Sequence, residues 1–174
     1  LVREGVQIER GSARLLGGGK LETGTQVLAT DVLLLATGAH PRVVPGAEPD
    51  GERILDWRQL YDLPALPEHL VVVGSGVTGA EFASAYLAMG CQVTLVSSRD
   101  RVLPTEDPDA AEQLQQVFVR RGMRVLRGRA AGVARVGDGV LVRLTDGSTV
   151  AASHCLMTVG SVPNTGDLGL EAAG

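Results

Sequence analysis

One turn limits what this chain can become. Leu70–Val73 is an apolar, β-branched run, and Gly74-Ser75-Gly76-Val77-Thr78-Gly79 follows it directly. Such a run is of strand type. Val77–Met89 then reads as a helix closed by Gly90, the residue a helix C-terminus favours, and Val93–Val96 as a second strand. In a Gly-x-Gly-x-x-Gly turn between strand and helix, Gly74 permits the sharp exit from the strand and Gly76 lets the backbone approach a pyrophosphate. Gly79 removes a side chain where helix and sheet meet. The helix N-terminus points free N–H groups and a partial positive charge at the phosphates. Ser75, Val77 and Thr78 complete the set of candidate contacts in the turn. The competing reading is a glycine-rich turn in an ordinary α/β domain. The strand before it, the helix after it and the second strand at the right distance favour a dinucleotide site.

The 174 residues suffice for one full domain or one and a half, and 44% are hydrophobic. With aromatics at only 3%, the core must be built from Val, Leu and Ala. A net charge of −4, spread along the chain, argues against a nucleic-acid partner. No apolar run approaches the roughly 20 residues of a membrane span. Cys91 and Cys155 belong to no Cys-x-x-Cys pair, so they read as reduced core thiols in a cytoplasmic setting. No metal-ligand spacing and no catalytic residue stands out. The chain starts on Leu1 and ends on Ala172-Ala173-Gly174, and is expected to be a piece of a longer protein.

Before the turn, Val6–Glu9, Ala13–Leu16 and Gln26–Ala29 read as short strands of a β-meander, with Gly17-Gly18-Gly19 as a turn. Val32–Ala36 reads as a buried strand ending at Thr37-Gly38. A linker follows, then a short helix from Trp57 capped by Asp56 and stopped by Pro64, with Trp57, Leu60 and Tyr61 expected in core packing. After the turn region, Asp107-Pro108-Asp109 is a helix start, with Ala110, Leu114, Val117 and Phe118 as its apolar stripe and Gly122 as its end. Val125-Leu126, Gly132–Val136, Val140–Leu144, Thr149–Ala151 and Cys155–Val159 read as further strands. Gly24–Pro41 and Gly147–Pro163 share one plan, a meander feeding an apolar strand that ends in Gly-x-x-Pro.

Three motifs in this order, Ala36-Thr37-Gly38-x-x-Pro41, Val73-Gly74-Ser75-Gly76-Val77-Thr78-Gly79-Ala80-Glu81 and Val159-Gly160-Ser161-Val162-Pro163-Asn164-Thr165, resemble the pyridine nucleotide-disulfide oxidoreductases. These include lipoamide dehydrogenases, glutathione reductases and related quinone reductases. The resemblance implies an α/β fold, a Rossmann-like three-layer β/β/α nucleotide-binding domain with a central parallel sheet and a β-meander crossover. It places the NAD(P)-binding domain at residues 46–160, the tail of the first half of an FAD-binding domain at 1–45, and the return into it at 161–174. It further implies a parent that passes hydride from NAD(P)H to FAD, a flavin domain of the same parent chain as partner, and a homodimeric parent. The family's FAD glycine turn and Cys-x4-Cys would precede Leu1, and its His-Glu pair would follow Gly174. The stretch alone is therefore expected to bind nucleotide and not to carry flavin or thiol chemistry. A non-catalytic dinucleotide-sensing module is the alternative.

By the same resemblance, Ser97 occupies the strand end where an NAD site places an acid for the ribose hydroxyls. Ser97 is uncharged, and Ser98, Arg99 and Arg101 follow. Hydroxyl and guanidinium groups suit a 2′-phosphate, so NADPH is expected over NADH; Asp100 opposes this, and a solvated arginine pair is the plainer reading. Family members use the Glu at the position of Glu81 near the nicotinamide, although its place in the first turns of a helix would by itself complement the macrodipole. Gly160 is expected to pass its backbone close to the nicotinamide, with a strand-terminal turn as the alternative. Ser161 stands where many members carry Arg, and Val77 where glutathione reductases carry a gating Tyr. His40, His69 and His154 read as structural or exposed.

Overall fold

A computed structural model describes residues 2–174. The chain divides into two units: residues up to His40 together with Val162–Gly174, and Pro41–Ser161.

In the first unit, strands β1 (Arg14–Gly17), β2 (Lys20–Glu22) and β3 (Val27–Ala29) form an antiparallel meander in that order. The Gly17–Gly19 turn joins β1 to β2 with all three glycines at positive φ, a region closed to most side chains. Val6–Glu9, expected as a strand, forms none. Nor does Val32–Ala36, expected as a buried strand: Val32 and Leu34 are 85% and 86% exposed. A strand exists through its neighbours, and no described segment runs beside these residues to take up their N–H and C=O groups. Strand β4 (Ala39–Pro41) comes next.

The second unit begins with the two-residue strand β5 (Ile54–Leu55) and helix α1 (Trp57–Leu60). The Asp56 carboxylate accepts from the N–H groups of Arg58 and Gln59, and the Gln59 side chain accepts from the Asp56 N–H, a reciprocal capping box. There follow β6 (His69–Val73), α2 (Val77–Ala88), β7 (Gln92–Ser97), α3 (Pro108–Arg120), β8 (Arg124–Arg127), β9 (Ala130–Val136), β10 (Gly139–Leu144), β11 (Thr149–Ala152) and β12 (His154–Met157). The chain closes with β13 (Ser161–Pro163), paired with β4, and α4 (Leu170–Ala173).

Five strands form one sheet in the order β5-β12-β6-β7-β8, every neighbouring pair parallel. Alternation along β6 splits the core in two. Leu70 and Val72 point to the helical side, with Ala80, Ala83, Val93, Leu95, Phe118 and Leu156. Val71 and Val73 point to the other side, with Val96, Cys155 and Met157, and there meet Val133, Val140, Val142 and Val150 of the antiparallel meander β9-β10-β11. The result is the expected three-layer β/β/α arrangement. On α3 the expected Leu114 and Phe118 face the core, and Ala111 takes the place expected of Ala110, which is exposed. Gln115 is half-buried on this helix, and its Oε1 accepts from the Val102 N–H at 3.0 Å. The last parallel strand stops at Met157, two residues short of the expected Val159.

At the amino ends of β6 and β12 a chain of hydrogen bonds has a fixed direction. Arg53 can only donate, so His154 Nε2, 3.0 Å from Arg53 Nη1, accepts and Nδ1 carries the proton. Nδ1 faces Ser153 Oγ at 3.1 Å, and that hydroxyl donates to the His69 carbonyl at 2.7 Å. Burial, then the Arg53 charge, holds His154 below the ordinary histidine range; burial, then Arg124, does the same for His69. Both imidazoles thus stay neutral in the folded state while the unfolded chain takes up protons below pH about 6.5. Stability is expected to be full above that pH and to fall as pH drops toward the depressed folded values. Urea midpoints measured between pH 7.5 and 5.5 should decline, and His154→Gln, whose amide oxygen can still accept from Arg53, should remove roughly half of the decline.

Candidate functional site

The carboxyl ends of β6, β7 and β12 converge on the glycine turn. Gly74 leaves β6 at φ +112°, and its N–H donates to the Val96 carbonyl at 3.0 Å. A Cβ at Gly74 would lie 2.3 Å from the Thr158 carbonyl oxygen. Thr158, just past β12, holds the turn from its own side: its N–H donates to Val73 O at 2.9 Å, and its Oγ1 lies 3.0 Å from both Val73 O and Gly74 O. Gly79 is buried against the same point, where a Cβ would come within 1.9 Å of Gly74 O and 2.7 Å of Thr158 Oγ1. Two of the three glycines are thus required by the protein's own packing.

Gly76 is different. Its φ is −71°, open to any residue, and a Cβ would meet nothing within 4 Å. It is the N-cap of α2 and offers no side-chain cap, so the first N–H groups of a helix of 12 residues face open space without an internal acceptor from that residue. A cradle that a side chain would fill, at the positive end of a helix, fits a diphosphate.

The space in front of Gly76 is a cleft of about 530 Å³. Gly74, Ser75, Gly76, Val77 and Thr78 line it from the turn, Ser98 and Arg99 from the end of β7, and Gly160 and Ser161 from beyond β12. Gly79 lies beneath the turn rather than in the cleft, and Glu81 is exposed on α2 outside the lining, with no ion pair among the described residues. Ser97 departs from the expected ribose contact. It is 2% exposed, and its hydroxyl lies 2.7 Å from Ser75 Oγ, 2.9 Å from Arg99 O and 3.2 Å from Arg99 N. The loop after β7 folds over it: Leu103, at φ +51°, donates its N–H to Ser75 O at 2.8 Å. Arg101 turns its Nε inward, while Asp100 is ion-paired with Arg127 of β8. Ser98 and Arg99 are therefore the polar side chains that β7's end presents to the cleft.

Sequence reasoning missed Thr158, Pro104 and Thr105, while Trp57 packs against the core as expected and lines the cleft as well. Trp57 is half-buried and carries the Arg58 guanidinium 5.9 Å from its ring centre. Thr158 had one available sign, a lone hydroxyl between an apolar strand and a glycine. No described helix is long and apolar enough to cross a membrane, and no described cluster of His, Cys, Asp or Glu could hold a metal ion.

The sequence pattern of the pyridine nucleotide-disulphide oxidoreductases matches residues 1–174. A Mycobacterium tuberculosis protein named NAD(P)H dehydrogenase (quinone) is 64% identical over 145 residues, which cover 83% of this chain and 29% of that protein. Dihydrolipoyl dehydrogenase 3 of Pseudomonas aeruginosa is 37% identical over 180 residues, 97% of this chain and 38% of its own length. The crystal structure of LpdA from Mycobacterium tuberculosis superposes with a TM-score of 0.87 at 54% identity, over 99% of this chain and 40% of that one. The chain thus spans between 29% and 40% of the length of these relatives.

The glycines separate fold from cleft. Gly79→Ala drives a methyl group into the Gly74 carbonyl and is expected to cost about 2–3 kcal/mol of stability. Gly76→Ala points into open space and should leave stability within about 0.5 kcal/mol of the parent. Chemical denaturation of the two variants checks both.

Proposed function

Because the chain belongs to the pyridine nucleotide-disulphide oxidoreductase family, we propose that residues 46–160 are the NAD(P)H-binding domain of an FAD-dependent oxidoreductase that moves hydride from NAD(P)H to the flavin. The observation that carries this reading is the open cradle at Gly76: a side-chain-free, uncapped helix N-terminus at the carboxyl edge of a parallel sheet, where doubly wound folds bind nucleotides. The turn's N–H groups hold the diphosphate, Thr158 keeps the turn rigid, and Gly160 and Ser161 border the nicotinamide end. Flavin, when bound by the rest of the parent, supplies the hydride acceptor; this unit's task is to orient the coenzyme.

Residues 1–45 and 161–174 are proposed as parts of the flavin domain. The exposed apolar run from Val32 to Ala36 supports this, since a five-residue stretch with no polar side chain is the composition of a strand covered on both faces. The name of the relative at 64% identity supports a quinone as the final acceptor.

NADPH is proposed over NADH. At the end of β7 the cleft offers a hydroxyl and a guanidinium, Ser98 and Arg99, while the nearby acid Asp100 lies outside the lining and pairs with Arg127 at the surface. A 2′-phosphate gains a charge-assisted bond there that a ribose hydroxyl does not.

The full-length protein should purify yellow and oxidise NADPH in the presence of a quinone; a colourless protein that binds the coenzyme without oxidising it would mark a sensing module instead. Arg99→Ala is expected to weaken NADPH about tenfold with little effect on NADH, read by equilibrium titration. Because Trp57 borders the cleft, coenzyme addition should change its fluorescence, and Trp57→Phe should remove that change.

A further inference from the structure

The cleft does not end at Ser98. A second cavity, about 330 Å³, shares Gly74, Ser98 and Val159 with it and opens between the parallel sheet and the start of β9. Its floor is apolar, from Val96 and Met157, and its far wall carries Arg129. Arg129 is exposed and has no carboxylate partner among the described residues, whereas its neighbour Arg127 is held by Asp100.

The root of Arg129 is fixed. The preceding N–H, of Gly128, donates to the Ser97 carbonyl at 2.8 Å, and the Arg129 carbonyl accepts from the Thr145 N–H at 2.9 Å. Gly128 packs close to β10, where a Cβ would sit 2.8 Å from Leu144 Cδ1. The connection between β8 and β9 is therefore tied to the residue just before Ser98. Arg99 comes to Ser98 from the loop after β7, and Arg129 from the next connection along the sheet. Arg99 thus lines the first cavity, Arg129 and Arg42 line the second, and the two cavities meet at the exposed Ser98.

We propose that Arg129 is a specificity-determining residue of the coenzyme site, reading the 2′-phosphate of NADP(H) from the side opposite Arg99. The proposal rests on the NAD(P)H reading above and adds a residue to it from a different strand connection. A phosphate dianion presents three acceptor oxygens, each able to take more than one hydrogen bond, so a bidentate guanidinium and one hydroxyl leave acceptor capacity and charge for a second cation. A second fork with its own fixed backbone completes the set, and a neutral ribose hydroxyl offers it no charge. The apolar floor between the two cations lowers the local dielectric and strengthens their pull on an anion.

The test uses the full-length protein, titrated with NADPH, NADH, 2′,5′-ADP and ADP at fixed ionic strength. Arg129→Ala is expected to weaken NADPH and 2′,5′-ADP by about tenfold or more while NADH and ADP change less than twofold. Arg129→Lys should recover part of the loss, and the NADPH affinity of Arg129→Ala should depend less steeply on salt than that of the parent protein. Circular dichroism melting, with Arg129→Gln as a second variant, reports whether the fold is intact. Equal weakening of phosphorylated and unphosphorylated nucleotides, or no weakening in either variant, overturns the proposal. So does a parent protein that binds NADH more tightly than NADPH. A parent that binds none of the four ligands would instead overturn the NAD(P)H reading itself.

Discussion

The site depends on three pieces of backbone meeting without side chains between them. Gly74, Gly79 and Thr158 come from the end of a strand, the first turn of a helix and the end of the neighbouring strand, and the contacts among them leave no room for a methyl group at either glycine. Thr158 is the one side chain admitted, and its hydroxyl lies within bonding distance of the carbonyls of Val73 and Gly74 together. This close fit aims the N-terminus of α2 at the cleft. Moving α2 outward by one methyl radius would move the same N–H groups away from whatever anion they meet. Steric exclusion below the turn and free space above it are two halves of one design.

What could be read from the residues alone was what depends on near neighbours. Strand, glycine turn, helix and strand from His69 to Ser97 follow from local spacing, and so does the Asp107-Pro108 helix start, because caps and periodicity are short-range properties. The roles of Gly74 and Gly79 were legible for the same reason. Ser97 was not, since its burial depends on a loop that returns over it and bonds to Ser75 through Leu103. Gln115 on α3 was not legible either: a polar residue, it is half-buried where its side chain takes up the Val102 N–H. Thr158 reaches the site from just past a strand far along the chain, and no local pattern announces such a residue.

The two meanders make a further contrast. Both are three-stranded and antiparallel, and each leads into an apolar segment that ends in a glycine at positive φ, Gly38 or Gly160. The second segment enters the parallel sheet between β5 and β6 and is fully buried over its four residues. The first, of similar composition, remains extended and exposed. Hydrophobic sequence therefore states a requirement for cover, and the neighbours decide whether a ladder forms. Reading Val32–Ala36 as a buried strand recognised the requirement and assumed the neighbours.

The sealed hydroxyl of Ser97 has a consequence for how coenzyme preference can change in proteins built this way. In an open site, one exchange of serine for glutamate would install the ribose-binding acid. Here that longer side chain would enter a closed compartment already filled by Ser75 Oγ and the carbonyls of Arg99 and Arg101, the last two of which repel a carboxylate. The acid could reach a ribose only after the whole hairpin-like flap from Ser98 to Glu106 had been rebuilt. Changing residue 97 by itself would then do little, because the loop that follows decides what the end of the strand presents.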